Sequence, residues 1–258
     1  MPPSIDVILS KFLSASVSED VIFSSGAISC FVSFDSCPHL SLGKKALPKK
    51  EVFSFSTGFL FFVKKKKCEV KEDMAKNSDW KERLERERKE KDKFFAVHGQ
   101  SPIPAEERAK FRGLEYYPPN ADYQFELELY EHSDKKLLQI EDTGGNIRDF
   151  LRWGEFQFKV GDDECTLQAY KSDPSAELLF IPFKDATSGN ETYGAGRYID
   201  LEHERDRTPA GRWRFDFNNA YNPWCAYSKN YVCPFVPPEN WLKIPVLAGE
   251  KKLKREEE

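Results

Sequence analysis

Methionine and histidine are scarce in this chain of 258 residues: two Met, at positions 1 and 74, and four His. No apolar run reaches the roughly 18 residues that a membrane-spanning helix needs, so no membrane partner is expected. Neither sign of charge dominates. With 39 basic and 43 acidic side chains the net charge is −4, which argues against a protein built mainly to hold a phosphate backbone, and no nucleic-acid partner is expected. A phosphate-cradling P-loop is also missing, because no Gly-Lys-Ser/Thr follows a glycine run into a helix. What the chain does have is 40% apolar and 14% aromatic residues, the composition of a soluble domain with an aromatic-rich core. Its length is ample to bury one.

The composition is not uniform. Residues 1–73 hold 13 serines and 9 of the 21 phenylalanines, yet no Arg, Tyr or Trp, while all 10 Tyr and all 5 Trp lie further on. Clusters such as Phe59-Leu60-Phe61-Phe62-Val63 followed by Lys64 to Lys67 keep neither a helical nor a strand period. A secretory signal fits poorly, since Asp6 occupies the region that should be positive and no small-residue cleavage site follows a single apolar stretch. The run Val52 to Val63 is too short to span a bilayer. The expectation is therefore that residues 1–73 are a disordered or mis-assigned extension and that the protein proper occupies residues 74–258. Without a credible leader, a reducing cytoplasm is the expected compartment.

After Met74 the elements become legible. Asn77-Ser78-Asp79 supplies capping side chains, with Asp79 and Glu82 at capping-box spacing. A helix over 79–97 follows, with Trp80, Leu84, Lys91 and Phe94/Phe95 on a weak apolar stripe. Its charged middle, Glu85 to Lys93, reads as a solvated face. Gly99 and Pro102 end it, and a short second helix is expected over Pro104 to Phe111. Beyond Gly113 the period falls to two: Tyr123, Phe125, Leu127 and Leu129 alternate with polar residues. Further strands are expected at Leu137–Glu141, Ile147–Trp153, Glu155–Val160, Cys165–Tyr170, Leu178–Phe183, Gly196–His203 and Arg212–Phe217. Short strands separated by turn signals, without long helices between them, predict a mainly β fold, an antiparallel β-sandwich or open β-barrel with one N-terminal helix.

Two segments concentrate polar residues of unusual context. The loop Asp185 to Tyr198 contains Gly189, Gly194 and Gly196, and its Thr187, Ser188, Tyr193 and Arg197 have the parts of a small polar or anionic ligand site. Glycines let backbone N–H groups approach a ligand, and an Arg can fork onto a carboxylate or phosphate. The competing reading is a tight loop with Arg197 paired to Asp216 or Glu191. The second segment, Phe215 to Tyr227, carries Asp216, Asn218, Tyr221, Asn222 and Cys225. On an alternating strand Asp216 faces away from Phe215 and Phe217. If that face is a cavity, Asp216 with Arg197, Tyr193 and Glu191 forms a charged pocket in which Asp216 or Glu191 could serve as general acid or base. Asn and Asp also favour turns through bonds to their own backbone, which accounts equally well for Asn219 and Asn222.

Cys225 and Cys233, eight residues apart, admit three readings: reduced structural thiols, a disulfide, or a metal or catalytic role. Zinc sites use four ligands, often in two close pairs, and no second pair is present, so no metal is expected. Arg212-Trp213-Arg214 has the basic and aromatic composition of a base-stacking patch but is expected to be ordinary cross-strand packing.

The ordered set Ser101-Pro102, Gly113-Leu114, Tyr116-Tyr117-Pro118, Asp216-Phe217-Asn218, Tyr221-Asn222-Pro223, Cys225-Ala226-Tyr227, Cys233-Pro234, Glu239-Asn240 and Ala248-Gly249-Glu250 resembles an uncharacterised prokaryotic family, domain of unknown function 1684. The resemblance runs from about Trp80 to Glu250, and nothing before Met74 belongs to it. It implies a start near Met74 and no activity, cofactor or catalytic residue. Two functions stay open from the residues themselves: a small-ligand site, with or without catalysis, and a structural or assembly module with a buried polar network. Cofactor and oligomeric state are not legible.

Overall fold

The computed structural model describes residues 79–254, all within one compact unit, Met74–Glu258. The reading of residues 1–73, the start at Met74 and the cap at 77–78 lie outside the described residues. Helix α1 covers 79–97. It buries Trp80, Leu84, Phe94 and Phe95, the stripe that the spacing predicts. The second helix expected over Pro104–Phe111 is instead a turn and one 3-10 turn, Arg108–Lys110. It contributes no buried side chain, so no apolar face holds a longer helix there.

Eight strands follow: β1 (Gln124–Leu127), β2 (Leu129–Glu131), β3 (Leu137–Glu141), β4 (Ile147–Val160), β5 (Asp163–Lys171), β6 (Leu178–Phe183), β7 (Arg197–Glu202) and β8 (Trp213–Asp216). A four-residue helical turn, α2 (His203–Asp206), separates the last two. Every pairing between these strands is antiparallel. β2, β4, β5, β6 and β7 form a sheet in that order, with β3 also on β4, while β1 and β8 make a separate two-stranded ribbon. The two strands expected at Ile147–Trp153 and Glu155–Val160 are one strand of 14 residues. A shift of register between Arg152 and Gly154 bends it, so its first half pairs with β3 and its second with β2. Gly154 allows this close approach: a Cβ there would stand 2.7 Å from the Tyr130 carbonyl oxygen.

The large sheet is apolar on both faces. Phe156, Phe158, Leu167, Leu179, Ile181, Ile199 and Leu201 share one core with Trp213, Phe215 and Phe217 of the ribbon side. The alternate residues Phe150, Tyr170, Phe180 and Tyr198 form a second core with Cys233 and Val236. The mainly antiparallel β fold is thus an open sandwich on one face. On the other, an irregular segment after β8 does the covering.

That segment also completes the hydrogen bonding of the sheet. β5 and β6 register at a single pair, Tyr170 with Phe180, and then diverge. Fully buried Asn240 fills the gap. Its Oδ1 accepts from Gln168 N at 2.7 Å, and its Nδ2 donates to Gln168 O at 2.9 Å and Pro182 O at 2.7 Å. One side-chain amide supplies what a neighbouring strand would.

Candidate functional site

The glycine-containing loop is closed by its own bonds. Arg197 at the start of β7 is fully buried. Its guanidinium donates to the backbone oxygens of Val246 (3.0 Å), Ala248 (2.5 Å) and Glu250 (3.2 Å) and pairs with Asp185 at 3.4 Å. Asp185, not Asp216 or Glu191, is therefore its counter-charge. Asp185 Oδ2 also accepts from Thr187 Oγ1 at 2.8 Å and Val246 N at 2.7 Å. Thr187 shares a 2.9 Å bond with Thr192, and Ser188 Oγ donates back to Asp185 at 3.2 Å. Burial pushes the Arg197 guanidinium down, opposed by Asp185. Gly196, at φ 102°, serves packing: a Cβ there would stand 2.6 Å from Phe183 O. Gly194 is exposed at the loop tip. An anion clamp needs a fork free to face the ligand, and this one is spent on the C-terminal stretch.

Asp216 is equally committed. Its Oδ1 accepts from Asn218 N (2.8 Å) and Nδ2 (2.7 Å), capping the 3-10 turn Phe217–Asn219. Its Oδ2 accepts from the Trp80 indole (3.0 Å) and Gln124 Nε2 (2.8 Å). Four donors use the carboxylate's acceptor sites, and none of them is Arg197, Tyr193 or Glu191. Glu191 lies exposed and meets Lys251 at 3.3 Å. The charged pocket expected from Asp216, Arg197, Tyr193 and Glu191 is not assembled. Asn218 bonds the backbone of Asn120 in both directions.

Sequence reasoning missed a further hub. Buried Glu250 takes the Lys91 ammonium on Oε1 and, on Oε2, the Tyr227 hydroxyl (2.5 Å) and Asn222 N (2.8 Å). Arg88, one helical turn before Lys91, donates to Tyr117 O and Asn218 O. The charged middle of α1 is thus partly a docking face, a feature hidden because its partners lie from 29 to 159 residues away in sequence. Gly249 lets this strand-like stretch pass: its Cβ would lie 2.6 Å from Ala220 O.

Two places leave chemistry exposed. The first brings together three of the expected residues. Tyr193 Oη lies 3.7 Å from Cys225 Sγ, and Tyr221 and Cys225 pack on the second core beside Cys233. Tyr221 itself donates to Asp200 at 2.6 Å. All three described cysteines are free thiols; Cys225 is half-buried and Cys233 buried. The Cys233 thiol donates to the Cys225 sulfur, which with the Tyr193 and Thr143 hydroxyls outweighs burial and holds Cys225 down at about 7. Donating to that thiolate pushes Cys233 up.

The second place is a cleft of about 450 Å³ beside β2, β4 and α2, lined among others by Trp153, Lys171, Glu177, His203, Arg207 and Trp213. Trp153 is flanked by two ammonium groups, Lys135 at 4.3 Å and Lys171 at 4.1 Å from its ring, a cation–π contact on each. Burial pushes Lys171 down, with the Glu131 carboxylate opposing. Arg207 meets the His203 ring at 2.9 Å, and that ring stands edge-on to Trp213. Trp153 and Trp213 looked like ordinary strand aromatics in the sequence, and only the bend at Gly154 and the turn at α2 bring them to one cleft. Among the described residues, no three His, Cys, Asp or Glu are grouped to hold a metal ion. No described helix is long and apolar enough to cross a membrane.

Fold and site together define a mainly antiparallel β protein with a docked N-terminal helix, internally saturated carboxylates, a thiol pair and a tryptophan-walled cleft. The chain belongs to a family of proteins of unknown function (DUF1684), whose model matches residues 109–251. It is similar to an uncharacterized protein of Haloarcula marismortui solved by solution NMR. The two are 38% identical over 69% of this chain and 96% of that one, with a TM-score of 0.54. No curated protein matches.

Proposed function

We propose that the protein binds a small polar molecule bearing an anionic group, and that it does so in the cleft between Trp153 and Trp213. The observation that carries this reading is Lys171: an ammonium drawn partly out of water, held over an indole ring in an open concavity. A desolvated cation strengthens its attraction for an incoming anion, and indole walls supply apolar contact area. Glu177, together with His203 and Arg207, offers hydrogen bonds to donor and acceptor groups on the same ligand. Small-molecule sites have this make-up of apolar walls and a few placed polar groups. The glycine loop, Asp216 and Glu191 are in this reading architecture rather than acid–base machinery, because their bonds are made within the protein.

The test is native mass spectrometry of the full chain, followed by tryptophan-fluorescence titration with a panel of amino acids, hydroxy acids and sugar phosphates. Saturable quenching by one class, weakened at least about tenfold in Lys171→Gln without a change in Tm, supports the reading. Binding that survives Lys171→Gln refutes the assigned cleft, and no binding across the panel refutes the ligand class.

A further inference from the structure

We propose that Cys225 and Cys233 are an oxidisable dithiol that reacts with hydroperoxides, Cys225 as the attacking sulfur and Cys233 as the resolving one. Their positions divide those roles. Cys225 sits in the short 3-10 turn Trp224–Ala226 and is half-buried, so a small oxidant can reach it. Cys233 is buried, and its backbone is pinned: Cys233 N donates to Thr143 Oγ1 at 3.1 Å and Cys233 O accepts from Thr143 N at 3.0 Å. Cys225 packs against the cluster that buries Cys233, so the two side chains lie within one packed group and a bond between them calls for side-chain rotation rather than refolding.

The surroundings favour the attacking form. Tyr193 Oη at 3.7 Å can donate to Cys225 Sγ, and hydroxyl and thiol donors stabilise a thiolate, the nucleophile in thiol chemistry. In the first step the Cys225 thiolate attacks the terminal oxygen of a hydroperoxide. An S–O bond forms, the O–O bond breaks, and the departing alkoxide or hydroxide takes a proton to leave as alcohol or water. In the second step the Cys233 sulfur attacks the sulfenic sulfur. The S–S bond forms, the S–O bond breaks, and hydroxide leaves as water with the Cys233 proton. Two thiols and one hydroperoxide give one disulfide, one alcohol or water, and one further water. The sulfurs lose two electrons and the peroxide oxygens gain them.

Cys165 is the internal control. It is buried and free, burial pushes its thiol up, and it has no place in the step above. Trypsin cuts between the pair at Lys229 and leaves Phe215–Lys229 and Asn230–Lys243 as separate peptides. The experiment treats the reduced full chain with hydrogen peroxide, alkylates remaining thiols under denaturing conditions, digests and maps. The expected result is those two peptides joined, Cys165 alkylated, and separation on adding a dithiol reductant. In Cys233→Ser, dimedone is expected to trap a sulfenic acid at Cys225, at least about tenfold faster than at Cys165. Any of three results overturns the proposal: both peptides recovered unlinked at peroxide doses that oxidise Cys165, Cys225 joined to a cysteine other than Cys233, or dimedone labelling of Cys233 in Cys225→Ser matching that of Cys225 in Cys233→Ser.

Discussion

Replacing Arg197 with Met separates a structural from a ligand-clamping role for the glycine loop. The guanidinium holds three carbonyl oxygens between residues 246 and 250 and one carboxylate, Asp185, with neither charged side chain exposed to water. Met fills much of the same volume but leaves the Asp185 charge and those carbonyls without their donor. Removing one partner of a buried ion pair costs about 3–5 kcal/mol, and the retained bonds from Thr187 and Val246 to Asp185 favour the middle of that range. For a domain of this size about 1 kcal/mol corresponds to roughly 2–4 °C, so the melting temperature is expected to fall by about 8–16 °C. Scanning calorimetry on the full chain and urea unfolding by circular dichroism measure this independently. Arg197→Lys keeps the charge but not the fork and should lie between wild type and Arg197→Met. In Arg197→Met/Asp185→Asn the buried unpaired charge is gone, so the double variant should be more stable than the sum of the single losses predicts. A cooperative transition for Arg197→Met within about 2 °C of wild type would refute the structural assignment, and additive losses would refute the pairing.

Two further outcomes follow from other parts of the molecule. Burial pushes the Asp142 carboxyl up, but Arg148 at 2.9 Å and the amides of Asn146 and Gly144 outweigh it and hold the group at about 2, against an ordinary 3.8. Its contribution is complete above the unfolded value and lost as pH falls from near 4 toward 2. Asp142→Asn should therefore lower stability at neutral pH and flatten that part of the acid limb in urea titrations; an unchanged acid limb would count against it. Tyr193→Phe removes a hydroxyl donor from Cys225 and should slow its alkylation by iodoacetamide at pH 7 several-fold, with Cys165 as reference; equal rates would remove Tyr193 from the thiol's environment.

How legible the molecule is from sequence differs between its layers. β3 and β6 coincide with the expected spans because each is a short apolar-rich run bounded by turn residues, and such a composition is a local property. Gly154 reads in the sequence as a break between two strands, whereas in the fold it lies at a bulge within one continuous strand. The expected site fared differently. Asp216 does face away from Phe215 and Phe217, as alternation requires, but which face opens to water depends on α1, whose Trp80 reaches it across 136 residues. Arg197 was visible as an unusual arginine. Its partner was not, since the carbonyls it binds belong to a stretch with no strand period of its own. Only the closeness of Tyr193, Tyr221 and Cys225 among the expected residues emerged as a place where exposed chemistry survives.

The amide of Asn240 has a consequence for how the chain is made. The seam between β5 and β6 lacks its full set of bonds until Asn240, which follows all eight described strands, arrives to fill it. During synthesis, β5 and β6 emerge with an open seam that presents free carbonyls and amides, the condition in which nascent β chains pair wrongly. Arrival of Asn240, rather than completion of β8, is then the event that closes the sheet. A chain truncated between residues 217 and 239 would keep all eight described strands and leave that seam open.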